Sequence, residues 1–234
     1  MTPDELTLFT DRLVNLNQAS VIVPMMVVWW RRRHFSPAVK LLSWYVYLSA
    51  FCSLGINFLY PAVFATNYGF LIGFNVGKTL LFGAVYYQVL HSAGARRTVQ
   101  MALLGTVVCV AAMFAHSALL GVSGGRIMQC LVLAGFAMLY MEQTLNSPPK
   151  KHIMQDPFWL LGLGQLLYSA GTVTAFSLDY LSKTVYDQNW KYPVVALFGM
   201  GFNYFLTLTF LRAKHRDAST TAPVPAEQAT LATS

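Results

Sequence analysis

Charge is scarce in this chain. Asp, Glu, Lys and Arg make up 11% of its 234 residues, against about 25% in soluble globular domains. Acid is scarcer still, with 9 Asp and Glu against 16 Lys and Arg. Cysteine is nearly absent: Cys52, Cys109 and Cys130 each fall inside an apolar run, without a CxxC pair or a metal-ligand spacing. They read as small packing residues and leave the redox compartment open. Enzyme signatures are missing as well, with no HExxH, no GxSxG and no paired carboxylates on a loop. The chain is therefore not read as an enzyme, and no cofactor or metal is expected. The positive leader of a signal peptide is also missing, since Asp4, Glu5 and Asp11 occupy the start. No cleavable signal peptide is expected.

Long hydrophobic runs take their place. The chain is 56% hydrophobic, with a mean hydropathy of +0.49, a membrane composition. Seven spans, near residues 13–30, 41–60, 68–90, 98–119, 126–145, 156–178 and 192–211, each reach the roughly 20 residues that cross a bilayer as helix. Loops of about 5 to 13 residues leave no room for a soluble domain. The expectation is an all-α integral membrane protein: a seven-transmembrane-helix bundle over residues 1–216, then a disordered cytoplasmic tail at 217–234. Residues 217–234, Ala-Ser-Thr-Pro-rich, have a disordered composition.

The net charge of +7 does not indicate nucleic acid, because the basic residues form short clusters between apolar spans. Placing Arg31–Arg33 in the cytoplasm puts 11 Lys and Arg on that side, including Arg96, Arg97, Lys150 and Lys151. The other side then holds 4: Arg12, Arg126, Lys183 and Lys191. This asymmetry predicts an external N-terminus and a cytoplasmic C-terminus, as an odd number of spans requires.

Local signals sharpen the spans. Pro24 lies inside the first and predicts a kink. Trp44, Tyr45 and Tyr47 suit an interface in the second, and Asn57 lies near its end at Pro61. Asp156 before Pro157 reads as a helix N-cap followed by proline in the first helical position. His116, near the end of the fourth span, reads as interfacial. Gly73 and Gly77 precede Lys78-Thr79, but the spacing is wrong for a phosphate loop, and GxxxG in an apolar helix reads as packing.

Lys78 is the most informative residue. An ammonium in mid-membrane costs from about 3 kcal/mol upward, so it faces the protein interior or water. It serves as a snorkelling or structural cation bonded to nearby carbonyls and Tyr or Asn side chains, as the counter-charge of an anionic ligand or itself a titrating group, or as a side chain facing lipid where the bilayer thins. Asn75, Lys78, Thr79 and Tyr86 share one helical face. The only intramembrane acid, Glu142, differs from Lys78 in depth by roughly 9 Å at 1.5 Å per residue, so a direct pair is not compelled. The sixth span places Gln165, Tyr168, Ser169 and Thr172 on one face beside Gly164 and Gly171, which permit close helix approach. The seventh adds Asn203 and Tyr204. Together these residues outline a pocket of a few polar groups in an apolar wall, the usual form of a small-ligand site.

Residues 156–172, Asp-Pro-Phe-Trp through Tyr-Ser-Ala-Gly-Thr, and the seven-span layout resemble a group of uncharacterised bacterial seven-helix membrane proteins. In that group the sixth helix tends to begin with Pro-x-Phe-Trp, where this chain has Pro157-Phe158-Trp159, and to end with Tyr-x-x-Gly-Thr. Their third helix often carries an acid near the position of Gly77-Lys78, from which Lys78 departs. The resemblance implies a stand-alone sensory or signalling protein. The chain is similar to microbial rhodopsins only in topology, because its seventh span has no lysine for a Schiff base. The expected function is a receptor-like sensor that binds a small ligand through Lys78, Asn75, Thr79, Tyr86, Glu142, Gln165, Tyr168, Thr172, Asn203 and Tyr204. Its partners would be the bilayer and a cytoplasmic signalling protein met through Arg96-Arg97 and Lys150-Lys151. A small secondary transporter is the alternative, although no internal repeat supports it.

Overall fold

The computed structural model describes residues 3–55, 68–146, 153–181 and 191–213. Asn57, Pro61, Lys150, Lys151, Lys183 and the tail at 217–234 lie outside them. Among the described residues the fold is entirely helical, with no strands. The helices are α1 (Pro3–Ser20), α2 (Ile22–Arg31), α3 (Pro37–Leu54), α4 (Tyr68–Val89), α5 (Ala93–His116), α6 (Ala118–Leu145), α7 (Pro157–Leu181) and α8 (Lys191–Arg212). Short 3-10 turns at Arg32–His34 and Ile153–Gln155 precede α3 and α7. Among the described residues, five segments are long and apolar enough to cross a membrane: Thr7–His34, Gly69–Val89, Ala93–His116, Gly121–Leu145 and Lys191–Arg212. This is the profile of a multi-pass membrane protein.

The break between α1 and α2 falls at Val21, three residues before Pro24. Proline lacks the donor for the Ser20 carbonyl and crowds it sterically, so the helix parts there. Ser36 stands in extended conformation before Pro37 and starts α3. Asp156 Oδ1 accepts from Phe158 N at 2.9 Å, so the expected cap opens α7. Its other oxygen accepts from the Tyr140 hydroxyl at 2.8 Å, which ties α6 to that cap.

One boundary differs from expectation. Residues 120–125 fall between the expected fourth and fifth spans, yet α6 begins at Ala118, with only Ser117 between it and the end of α5. The glycines are helical and serve close approach: a Cβ on Gly121 would lie 3.0 Å from the Phe114 backbone, and one on Gly124 would lie 2.8 Å from Met113 Sδ. Small residues there let α5 and α6 pack from their first turn.

The helices pack as α1 and α2 on α8, α8 on α7, α7 on α6, α6 on α4, and α4 on α3. Helix α2 also touches α3, which closes the ring, and α5 lies outside against α4 and α6. Gly171 and Gly164 set the α7–α8 contact, since a Cβ at either would lie 2.1 Å from the Phe198 ring or 2.5 Å from Phe205 Cβ. The GxxxG pair of α4 splits: Gly77 packs on Leu48 at 3.1 Å, whereas Gly73 faces nothing within 4 Å. At one end, Arg31 donates to the carbonyls of Phe210 and Leu211, capping α8 with a cation as the helix dipole favours. Beside it Arg32 stacks on Trp44 and Tyr47, 5.0 and 5.4 Å from their ring centroids.

Candidate functional site

The polar face of α4 turns inward. Asn75, Lys78, Thr79 and Tyr86 are all buried, Lys78 to 1% exposure. The Thr79 hydroxyl donates to its own helix at the Asn75 carbonyl, 2.8 Å away, so it needs no partner from another helix. The polar face of α7 meets it, with Gln165, Tyr168, Ser169 and Thr172 buried in turn. Gln165 Nε2 donates to Ser169 Oγ at 3.0 Å along that face.

Aromatic rings surround the Lys78 ammonium. Its Nζ lies 4.2 Å from the Tyr168 centroid, 4.8 Å from Phe202, 5.3 Å from Tyr45 and 5.8 Å from Phe82. The rings come from α7, α8, α3 and α4, and they also meet one another. Tyr45 contacts Phe82 edge-on at 5.2 Å and Phe202 at 5.9 Å, while Tyr168 meets Phe202 at 5.7 Å. A ring face carries negative quadrupole density, so each one stabilises the cation by about 0.5–2 kcal/mol, the upper end applying without water. No described carboxylate forms an ion pair with Lys78.

Three buried polar atoms near this centre have no hydrogen-bond partner of ordinary geometry among the described residues: Tyr86 OH, Gln165 Oε1 and Thr172 Oγ1. Each such atom costs about 1–3 kcal/mol when left unpaired. Gln165 and Thr172 flank Tyr168 by three and four residues, one helical turn to either side. Tyr86 packs against Phe136 and Tyr140 further along α4.

Three expected site residues lie elsewhere. Glu142 is exposed near the end of α6 and does not pair with Lys78. Tyr204 is 62% exposed and turns outward. Asn203 is buried, but its Nδ2 donates to Ser20 Oγ at 2.7 Å, so it joins α8 to the first helix rather than to Lys78. Ser20 in turn donates to the Asn17 carbonyl at 2.6 Å. His116 is exposed at the end of α5.

The sequence reading missed the walls of the box. Tyr45 was grouped with Trp44 and Tyr47 as an interface anchor, yet it belongs to the buried stripe Val39, Leu42, Tyr45, Val46, Ser49 and Cys52. That three- and four-residue spacing was the available signal. Phe82 is one turn from Lys78 on the same face, a position open to the same reasoning. Phe202 carries no such mark in a helix apolar on all sides. No protein-family model matches the chain, and no curated protein or solved structure matches it.

Proposed function

We propose that this protein is a receptor-like membrane sensor whose responsive centre is Lys78 in its aromatic box. It would cross the membrane seven times, α1 and α2 forming one span and α3 and α7 joining the other four helices. The N-terminus would be external and the C-terminus cytoplasmic, in line with the basic-residue asymmetry. The observation that carries this reading is an ammonium at 1% exposure among four rings, with no described carboxylate paired to it. Side chains of four helices converge on that one atom, and three polar atoms nearby lack partners. A ligand that pairs with Lys78 must move rings on α3, α7 and α8, which couples occupancy to helix packing. Differential binding to two packings is what a sensor requires. The output would pass to a cytoplasmic partner through Arg96-Arg97, at the start of α5, and the segment bearing Lys150-Lys151.

Native mass spectrometry of wild type and Lys78→Met in mild detergent tests the proposal. A small-molecule adduct on wild type alone is expected. Identical spectra, with neither protein carrying an adduct, would remove Lys78 as a ligand site.

One observation favours a second reading as a small secondary transporter. The first span is discontinuous at Val21, and transporters commonly place substrate at broken helices. Uptake of labelled anions into proteoliposomes separates the two, because a sensor moves none.

A further inference from the structure

The box has an outward extension that the sensor reading does not use. Arg126 of α6 lies 5.6 Å from the Phe176 centroid, and Lys191, at the start of α8, lies 5.9 Å from the same ring. Two turns back along α7, the Tyr168 ring is 4.2 Å from Lys78 Nζ. Tyr168, Thr172 and Phe176 are four residues apart along one face of α7, about 12 Å from first to last. Cations from three other helices therefore stand over the two rings of this stripe of α7, Lys78 at Tyr168 and Arg126 and Lys191 at Phe176. Arg126 and Lys78 are cations set at the two ends of this stripe. Between their two contact rings lies Thr172, fully buried, its hydroxyl unpartnered among the described residues.

A stripe of cations with a free buried donor in its middle is complementary to negative charge. We infer that the ligand of this site is a small organic carboxylate, its oxygens held by Lys78, Arg126 and Thr172 and its apolar body by the rings. The inference rests on the reading of Lys78 as the responsive centre and adds the ligand class and two recognition residues. A carboxylate between the two cations turns their repulsion into attraction, and charge-assisted bonds to it are about twice as strong as neutral ones. Thr172 Oγ1 then gains the acceptor it lacks. The rings favour a carboxylate with an alkyl or aryl body over a bare ion, since apolar contact is the larger part of most small-ligand sites.

The test is thermal unfolding of the full chain in mild detergent at constant ionic strength. The probes are hexanoate and benzoate, the neutral benzamide, the cation benzylammonium, and chloride alone. One or both carboxylates are expected to raise the midpoint in a saturable way, while benzamide, benzylammonium and chloride do not. Arg126→Gln should weaken the carboxylate by roughly thirty-fold, and Thr172→Val by roughly ten-fold. Arg126→Lys, which keeps the charge, should recover most of the loss and controls for folding. Stabilisation by chloride or benzamide equal to that by benzoate would overturn the ligand class. If that stabilisation still required Lys78, the sensor reading would stand. No carboxylate effect, or one indifferent to both Arg126→Gln and Thr172→Val, would also overturn it. Loss of every Lys78-dependent effect would instead count against the sensor reading itself.

Discussion

Replacing Lys78 with methionine leaves an unbranched side chain of similar length in the box and removes only the charge. Burying an ammonium carries an effective penalty of several kcal/mol. Four ring faces within 6 Å return about 0.5–2 kcal/mol each, a total of the same size. The two effects nearly cancel, so Lys78→Met should change stability by no more than about 2 kcal/mol, and stabilisation is the favoured direction. At about 2–4 °C per kcal/mol for a chain of this size, its unfolding midpoint should stay within roughly 8 °C of wild type. Lys78→Ala also empties the space between the rings, and a large-to-small change in a packed core costs about 2–5 kcal/mol. Tryptophan fluorescence during heating in mild detergent reads both. A methionine variant that falls as far as the alanine variant would refute the reasoning. It would make the ammonium a structural pin whose charge holds α3, α4, α7 and α8 together.

Other substitutions test the frame around the box. Gly171→Val forces a side chain into the Phe198 ring and should cost about 1–3 kcal/mol or more, whereas Gly73→Ala, facing open space, should be neutral in the same melt. Asp156→Ala removes both the cap of α7 and the Tyr140 contact, for a loss of about 2 kcal/mol. Tyr140→Phe should lose only the second, and a double-mutant cycle reads their coupling. Pro24→Ala restores the donor to the Ser20 carbonyl, so α1 and α2 should merge into one straight helix. Spin-label distances between residues 13 and 30 would lengthen if they do, and stay fixed if another residue causes the break.

Much of this arrangement is written in local pattern. The inward faces of α4 and α7 follow from helical periodicity, because one polar stripe on an apolar helix has nowhere favourable to go but the interior. Asp156-Pro157 and Pro24 act through the backbone of their own helix, so their effects are legible without knowing what packs nearby. Gly164 and Gly171 are equally direct, as missing side chains that let a neighbour close in. Residues 120–125 misled because glycine breaks helices in water, whereas between packed apolar helices its small size is the stronger effect. Glu142 and Tyr204 were placed inside by depth along the chain, while their facing was set by neighbouring helices. The aromatic box was the least legible part. Tyr45, Tyr168 and Phe202 come from three helices and become a cage only once the ring of helices closes, a relation that no single window contains.

The central claim is that the Lys78 ammonium sits among ring faces and responds to what binds there. NMR of protein labelled with 13C at lysine Cε, in detergent, compared with Lys78→Met, addresses it most directly. The account predicts one lysine resonance, absent from the variant, with its methylene protons displaced by the ring currents of four aromatics and moving further on addition of benzoate. A Lys78 resonance at the ordinary position of a solvated lysine, unmoved by any carboxylate, would contradict it.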